Sequence, residues 1–246
     1  MDHKIRGLLN KIVYESSASI SSQIATLINE CRSTDEALSL LVRLVCEHAL
    51  DSSGFSGLYA SLCQALTEKL QPEFVGDRVQ SFRELLIDHC QTQFALLWNT
   101  GEDAAAITNE THQPIEGNPR MFSDEYYDVQ KARRHRRGLV QFIGELYRHE
   151  VVEDKLVEDC TERLLKNNPP GEQEVESLCI LFSVMGQFLE GKDPARLDAY
   201  FERMESIANM ESVSPRISSL IQNVIELRQR NWVARGSGNA PPLPRS

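Results

Sequence analysis

The sequence contains none of the short motifs that mark the common nucleotide, metal and hydrolase sites. Its 246 residues include no G-x-x-x-x-G-K-[ST], no G-x-G-x-x-G after a strand pattern, no H-E-x-x-H and no G-x-S-x-G. These absences argue against P-loop NTPases, dinucleotide-binding enzymes, zinc peptidases and α/β-hydrolases. The carboxylate pairs Asp124-Glu125 and Glu153-Asp154 stand at predicted helix starts, where they complement the helix dipole. We therefore expect a protein that is not an enzyme and needs no cofactor.

Cysteine and histidine lack the spacing of a disulfide framework or a metal site. No CxxC pair occurs, and most of the six cysteines fall at apolar positions of helical patterns: Cys31, Cys46, Cys63, Cys90, Cys160 and Cys179. This usage favours buried free thiols in a reducing, cytoplasmic compartment. The six histidines show no ligand spacing with one another or with the cysteines. We expect no metal.

Long apolar runs and excess positive charge are also missing. Every run without a charged residue, including the apolar run 177–189 and the longer run 52–67, is shorter than the roughly 20 residues that cross a bilayer, and no leader pattern opens the chain. A net charge of −10 argues against a protein that coats nucleic acid. It still permits a local basic site, because salt screens exposed charges beyond about 8–10 Å.

Apolar residues recur at helical spacing along most of the chain, and no strand alternation competes with them. The predicted helices lie at about 1–12, 16–31, 33–50, 55–70, 78–98, 123–152, 153–167, 172–189, 194–207 and 214–227. These helices form about five antiparallel pairs of about 40–45 residues each, which predicts an all-α fold, a HEAT-repeat α-solenoid. A four-helix bundle would need fewer, longer helices. We expect one domain over 1–235, with a long loop near 99–121 and a disordered tail over 236–246.

A basic run is the sharpest polar feature of this acidic chain. It follows the Ser123-Asp124-Glu125 cap signal and precedes an apolar helical stripe; its cations are Lys131, Arg133, Arg134, Arg136 and Arg137. One interpretation is a solvated helix face that pairs with nearby carboxylates. The other is a contact with phosphate or with an acidic partner, since clustered arginines bind phosphates bidentately. Neutralising the run would then abolish a salt-dependent affinity for RNA.

Trp232 stands among arginines after the last predicted helix, in LRQRNWVAR. A tryptophan beside arginine is typical of a binding hot spot. The alternative is that Trp232 seals the end of the last helix pair.

Six blocks of the chain resemble the middle domain of eukaryotic translation initiation factor 4-gamma. They occur in the family's order and span nearly the whole chain: GLLNKI (7–12), FSGLYASLCQAL (55–66), FRELLIDHCQTQF (82–94), SDEYYDVQKARRHRRGLVQFIGELY (123–147), CTERLLK (160–166) and SPRISSLIQNVIELRQRNWVAR (214–235). The fourth block (123–147), in which SDEYY precedes GLVQFIGELY, is similar to fungal members in particular.

The resemblance implies a non-catalytic HEAT crescent that binds and activates the DEAD-box RNA helicase initiation factor 4A. Family members contact both helicase lobes and favour a half-open arrangement. Carried over by matching motif, the helicase-binding residues are Leu8, Leu9, Asn10 and Lys11 at one end, and Arg216, Arg228, Asn231 and Trp232 at the other. The resemblance also implies binding of RNA and other initiation factors through the basic run.

The run DVQKARRHRR departs from the alanine-rich sequence of fungal members and raises the local positive charge. We expect an excised domain or a short paralogue, without the parts of the factor that bind the cap-binding and poly(A)-binding proteins. Two alternatives stay open: a HEAT domain of an RNA-decay or cap-binding-complex factor, and a stand-alone RNA-binding module. The binding preference of the chain among DEAD-box proteins would distinguish the RNA-decay or cap-binding-complex alternative from the leading hypothesis.

Overall fold

The chain folds into α-helices, as the apolar periodicity predicts. A computed structural model describes residues 1–31, 34–70, 73–75, 78–99 and 124–233. The α-helices in these ranges are α1 (Asp2–Leu9), α2 (Ser17–Asn29), α3 (Thr34–Asp51), α4 (Ser56–Lys69), α5 (Phe82–Asn99), α6 (Asp124–Arg148), α7 (Asp154–Leu164), α8 (Glu172–Lys192), α9 (Pro194–Ala208) and α10 (Pro215–Gln229). Short 3-10 helices occupy Tyr14–Ser16 and Ser53–Phe55. The fold class is all-α, of the HEAT type.

The first of two compact units comprises Met1–Cys160. In it α6 packs against α3, α4 and α5, while α2 packs against α4, and α1 against α2 and α3. The side chains that meet between these helices are the predicted apolar stripes, and Leu41, Leu62 and Phe142 are fully buried. Burial of this apolar area is what stabilises helices that would be marginal alone.

The second compact unit comprises Thr161–Ser246, so the division falls within α7. Its helix α8 packs against α10 and α9, and α9 packs against α10. Phe182, Met185 and Ile221 are fully buried in this core. Phe182 makes an edge-to-face contact with Phe201 at a centroid distance of 5.8 Å.

A close approach of α6 to α3 positions the helix that carries the basic run. A Cβ atom placed on Gly138 would lie 2.7 Å from the Leu50 carbonyl oxygen. Only glycine therefore lets the two backbones come this near. Immediately after it, Leu139 and Val140 are buried, so Gly138 marks the point where α6 enters the core.

The predicted start of the fifth helix at Arg78 is wrong. Residues 78–80 form a strand, β2 (Arg78–Gln80), which pairs antiparallel with β1 (Glu73–Val75) in the register Phe74↔Val79. Phe74 and Val75 in the first segment and Val79 in the second favour strand over helix. The helix begins at Phe82 because Ser81 and Glu84 form a capping box. The Ser81 N–H donates to Glu84 Oε2 at 2.8 Å, and the Glu84 N–H donates to Ser81 Oγ at 3.2 Å.

The sequence also predicts that Pro194 stands in the first turn of a helix, where its missing N–H costs nothing, and that the cysteines are free thiols; the structure confirms both. Pro194 occupies the first turn of α9, and the Asp193 carboxylate caps that helix by accepting from the Arg196 N–H at 3.1 Å. All six cysteines are free, and five of them are buried. The sequence also predicts a capping box in which Ser33 pairs with Glu36. Its Ser33, the Ser123 cap, the loop over 100–121 and the tail over 236–246 fall outside the described residues.

Candidate binding surfaces

The four residues predicted at the end of α1 differ in exposure. Asn10 and Lys11 are exposed, Leu8 is half-buried, and Leu9 is 1% exposed and belongs to the core. An i,i+4 ion pair holds the helix, with Arg6 Nε 2.6 Å from Asp2 Oδ1, and Arg6 also reaches Glu47 of α3. Leu9 therefore anchors this end of α1, while Leu8, Asn10 and Lys11 remain accessible to a partner.

Leu8 lines a shallow groove between α1 and α2. The groove has a volume of about 570 Å³, and α2 contributes Leu27 and Thr26 to its wall together with serine hydroxyls. Lys69 at the end of α4 reaches two hydroxyls of α2: its Nζ donates to Ser21 Oγ at 2.7 Å and to Ser22 Oγ at 2.9 Å. The groove is thus a mixed apolar and polar surface.

Arg216 lies in the first turn of α10, with a side chain 52% exposed. It is 3.4 Å from Glu172 Oε2 and 3.6 Å from Glu176 Oε2, both at the start of α8. Ser214 Oγ donates to the other Glu172 oxygen at 2.6 Å. These contacts are made by a solvent-exposed guanidinium, so Arg216 can also contact a partner.

Arg228 and Trp232 are held by one carboxylate, that of Glu190 on α8. Arg228 Nε donates to Glu190 Oε1 at 2.9 Å, and the Trp232 indole Nε1 donates to Glu190 Oε2. Arg228 also donates to Asp198 Oδ1 and lies 4.8 Å from the centre of the Phe201 ring. The Arg228 side chain is only 20% exposed. These two predicted helicase contacts are bound within their own unit.

The backbone after α10 turns so that the indole faces inward. Asn231 has φ 50° and Trp232 has φ 64°, and the Trp232 N–H donates to the Leu227 carbonyl at 2.8 Å. The ring then meets Phe201 edge-on, at a centroid distance of 6.1 Å and an angle of 85°. The arrangement is the one in which Trp232 seals the last helix pair, and it leaves Asn231 exposed.

The five cations of the basic run do not share one surface. Lys131, Arg134 and Arg137 are exposed, and Arg133 is half-buried. Arg136 is 8% exposed, and its Nε donates to the Leu97 carbonyl of α5 at 3.0 Å. Arg136 therefore satisfies the C-terminal end of α5 and is not part of the accessible basic surface.

An aromatic side chain stands on the exposed side of the same helix. Tyr127 is 55% exposed and precedes Lys131 by four residues and Arg134 by seven. Residues at this spacing lie on one face of a helix. We call the set Tyr127, Lys131, Arg134 and Arg137 the α6 surface.

Neither a metal cluster nor a membrane-crossing helix occurs in the described ranges. Within them, no group of three or more His, Cys, Asp or Glu side chains is placed to hold a metal ion. None of the helices described there is both long and apolar enough to cross a bilayer.

Comparison with known proteins places the chain in a family. Residues 2–231 match the MIF4G domain. The chain belongs to the MIF4G domain family. Its similarity extends to eukaryotic translation initiation factor 4 gamma 3 of Mus musculus, which is 32% identical over 245 residues. Eukaryotic translation initiation factor 4 gamma of Schizosaccharomyces pombe is 29% identical over 258 residues. The eukaryotic initiation factor 4F subunit p150 of Saccharomyces cerevisiae is 29% identical over 263 residues.

The match covers nearly all of this MIF4G chain and a small part of each relative. It takes in 97%, 98% and 98% of the chain, against 15%, 18% and 27% of the mouse, fission yeast and budding yeast proteins. The chain therefore spans less than a third of the length of these relatives, and their activities belong to much larger proteins.

Sequence reasoning missed two residues that organise this MIF4G domain near its C-terminal end. Glu190 receives both Arg228 and Trp232, yet a glutamate late in a helix carries no signal of its own. Gly186 lies beneath the Trp232 ring, in the space that a Cβ atom would need. A glycine inside a helix costs roughly 1 kcal/mol relative to alanine, and this cost is the one signal that the sequence offers at position 186.

Proposed function

We propose that this MIF4G domain is a non-enzymatic scaffold of cytoplasmic translation initiation. It binds the DEAD-box RNA helicase initiation factor 4A and raises its activity. The observation that carries the proposal is the family match over residues 2–231 together with relatives named as initiation factor 4 gamma. The resemblance of the N-terminal and C-terminal blocks to helicase-binding segments supports the choice of partner.

Two contact sites, one in each compact unit, would carry the helicase. The first consists of Leu8, Asn10 and Lys11, and the second of Arg216 and Asn231. Their exposure supports a role in direct contact. A scaffold that touches both helicase lobes raises activity only if it binds one lobe arrangement more tightly than the others. Each site alone would then bind the helicase without stimulating it fully.

The remaining predicted contacts act through the fold in this proposal. Leu9 is buried and anchors α1, while Arg228 and Trp232 are bound to Glu190. Their substitution would weaken helicase binding by disturbing the surface that they support. Loss of activation in Trp232→Ala would therefore not by itself identify a contact, and surface variants are needed.

The test is the ATPase rate of initiation factor 4A with RNA, with and without the full chain. Lys11→Ala removes a cation at the first site. Asn231→Gly removes a side chain at the second site and keeps a residue that tolerates positive φ. We expect stimulation by the wild type, a partial loss in each variant and a near-complete loss in the double variant.

The matched control is Lys166→Ala, an exposed cation of the second unit outside the proposed sites. It should stimulate like the wild type. Stimulation that is unchanged in the Lys11→Ala/Asn231→Gly double variant would refute the assignment of the sites. A chain that leaves initiation factor 4A unaffected but binds another DEAD-box protein would favour an RNA-decay or cap-binding-complex role.

RNA binding is a second function that the α6 surface supports. Three exposed cations stand within seven residues of a chain whose net charge is −10. Each Lys or Arg that neutralises a phosphate adds roughly 0.7 to the salt slope of single-strand binding. Replacing Lys131, Arg134 and Arg137 with alanine should weaken RNA binding and flatten this slope by roughly 2, while Arg136→Ala should instead destabilise the fold.

A further inference from the structure

Four of the six cysteines lie in the core of the first unit, and the proposed functions use none of them. They come from four different helices, and each is at most 3% exposed: Cys46 of α3, Cys63 of α4, Cys90 of α5 and Cys160 of α7. The helices α3, α4 and α5 pack against one another. Residues far apart in the sequence thus bring their thiols into one buried region.

Cys90 is the common neighbour of the other three thiols. The Cys46 thiol is in hydrogen-bonding contact with the Cys90 thiol, and this contact, followed by burial, raises the pKa of Cys46. The pKa values of Cys63 and Cys160 are raised by burial first and then by the electrostatic effect of the nearby Cys90. Cys46 and Cys90 are therefore the pair whose thiols are in direct contact.

We propose that Cys46 and Cys90 are a redox pair, which hydrogen peroxide oxidises to a disulfide that joins α3 to α5 inside the first unit. The inference goes beyond the scaffold function and does not depend on it. A disulfide needs only two adjacent thiols. A zinc site needs three or four ligands around one point, and the described part of the chain places no such group of His, Cys, Asp or Glu side chains together.

The oxidation takes two steps and consumes one hydrogen peroxide. In the first step the thiolate of one cysteine attacks a peroxide oxygen and the O–O bond breaks. The leaving hydroxide takes up a proton to form water, and the sulfur becomes a sulfenic acid. In the second step the other thiol attacks the sulfenic sulfur, the S–S bond forms, the S–O bond breaks and a second water leaves. The two sulfurs together lose two electrons, which reduce the peroxide to water.

Burial makes the pair slow to react and selective for a small oxidant. The raised pKa of Cys46 suppresses its thiolate, while hydrogen peroxide enters through small openings of the core that exclude a bulky reagent. The half-buried Cys31 therefore reacts before the pair does. Once formed, the disulfide restricts the unfolded chain between residues 46 and 90, which stabilises the first unit.

Mass spectrometry of the full chain with Cys31→Ser tests the pairing. This background removes the half-buried thiol and leaves the five buried ones. The protein is incubated with hydrogen peroxide, its free thiols are blocked with N-ethylmaleimide in denaturant, and it is digested without reductant. We expect a species with two fewer N-ethylmaleimide groups than the untreated protein, and a cross-linked peptide that joins Cys46 to Cys90.

Cys46→Ala and Cys90→Ala, each in the Cys31→Ser background, should abolish the cross-link. Cys179→Ala is the matched control, because Cys179 is also buried but lies in the second unit. It should form the cross-link like the Cys31→Ser protein. Circular dichroism establishes that each variant folds. The peptide map of the Cys31→Ser protein decides the pairing independently of any core variant.

The urea midpoint gives a second readout. The oxidised Cys31→Ser protein should unfold at a higher urea concentration than the reduced protein, and dithiothreitol should abolish the difference. A peptide map without an internal disulfide, with Cys90 joined mainly to Cys63 or Cys160, or with disulfides between separate chains would refute the redox pair. An oxidised protein that unfolds at the same or a lower urea concentration would refute the stabilising effect of the cross-link.

Discussion

The ring of Trp232 lies directly over Gly186, in the space that any side chain at position 186 would occupy. The indole reaches this place from beyond the end of α10, and its Nε1 donates to Glu190 one turn further along α8. One glycine in α8 thus decides how the C-terminal segment of the second unit is attached.

Gly186→Ala should displace the Trp232 ring and lower stability. The added methyl group overlaps the ring, and overpacking of this kind typically costs about 1–3 kcal/mol. The measurement is urea unfolding followed by Trp232 emission in a Trp98→Phe background, where Trp232 is the remaining tryptophan of the two. The native emission should also move to longer wavelength.

Gly191→Ala is the control for this substitution. Gly191 lies in the same helix, and a Cβ atom there meets nothing within 4 Å. Alanine is the better helix former by roughly 1 kcal/mol, so Gly191→Ala should be neutral or stabilising. Equal stability of the two variants would contradict the packing of Trp232 on Gly186.

Glu190→Gln should destabilise the second unit by about 1 kcal/mol, because hydrogen bonds to a charged group are the stronger ones. The substitution removes the charge shared by Arg228 and Trp232. Asp198→Asn tests the other carboxylate that Arg228 contacts. The Asp198 side chain is 59% exposed. The effect of Asp198→Asn should be less than about 0.5 kcal/mol, as for surface ion pairs. Urea unfolding of both variants gives the comparison, and a larger effect at Asp198 would reverse the assignment.

Gly138→Ala should separate α6 from α3. A Cβ atom at Gly138 meets the Leu50 backbone, which cannot rotate away as a side chain does. We expect a loss of about 2 kcal/mol in thermal or urea unfolding. Gly7→Ala in α1, where a Cβ atom meets nothing within 4 Å, is the control and should cost nothing. A Gly138→Ala protein as stable as the Gly7→Ala protein would show that the two helices do not cross this closely.

Cys31 should be the first thiol to react in the native protein. It is half-buried, whereas the other five cysteines are buried. Burial raises the pKa of the Cys179 thiol to about 12 and also raises the pKa of the Cys63 thiol, which suppresses their thiolates. A colorimetric thiol assay should count about one thiol before unfolding and six in denaturant. Cys31→Ser should abolish the native reaction; a rapid reaction of several thiols would show that the core opens readily.

Stability should fall as the pH drops through the histidine range. Burial lowers the pKa of His48, His89 and His149 below the ordinary value. The unfolded chain therefore binds more protons than the native protein below about pH 6.5, and the free energy of unfolding decreases there. Urea midpoints at pH 7.5 and pH 5.5 measure the change. His89→Gln should reduce it, and a midpoint that rises on acidification would contradict the sign.

The sequence by itself determined the helices, the family and many helix ends. Apolar residues at a spacing near 3.6 predict an amphipathic helix whatever it packs against, and Pro194 marks a helix start for a local steric reason. The hairpin at Glu73–Val75 and Arg78–Gln80 was missed because three-residue strands are too short to establish an alternation. The Ser81-to-Glu84 capping box was available in the sequence and would have corrected the start of α5.

Only the tertiary structure decided which members of each predicted site face outward. Arg136 and Arg137 are neighbours in one basic run, yet Arg136 is buried against the Leu97 carbonyl while Arg137 is exposed. In the sequence, Trp232 is equally compatible with a binding hot spot and with a residue that seals the last helix pair. The hydrogen bond from its indole to Glu190, 42 residues earlier, supports the second interpretation. Local periodicity defines the faces of a helix, but the burial of a given face depends on contacts with residues distant in sequence.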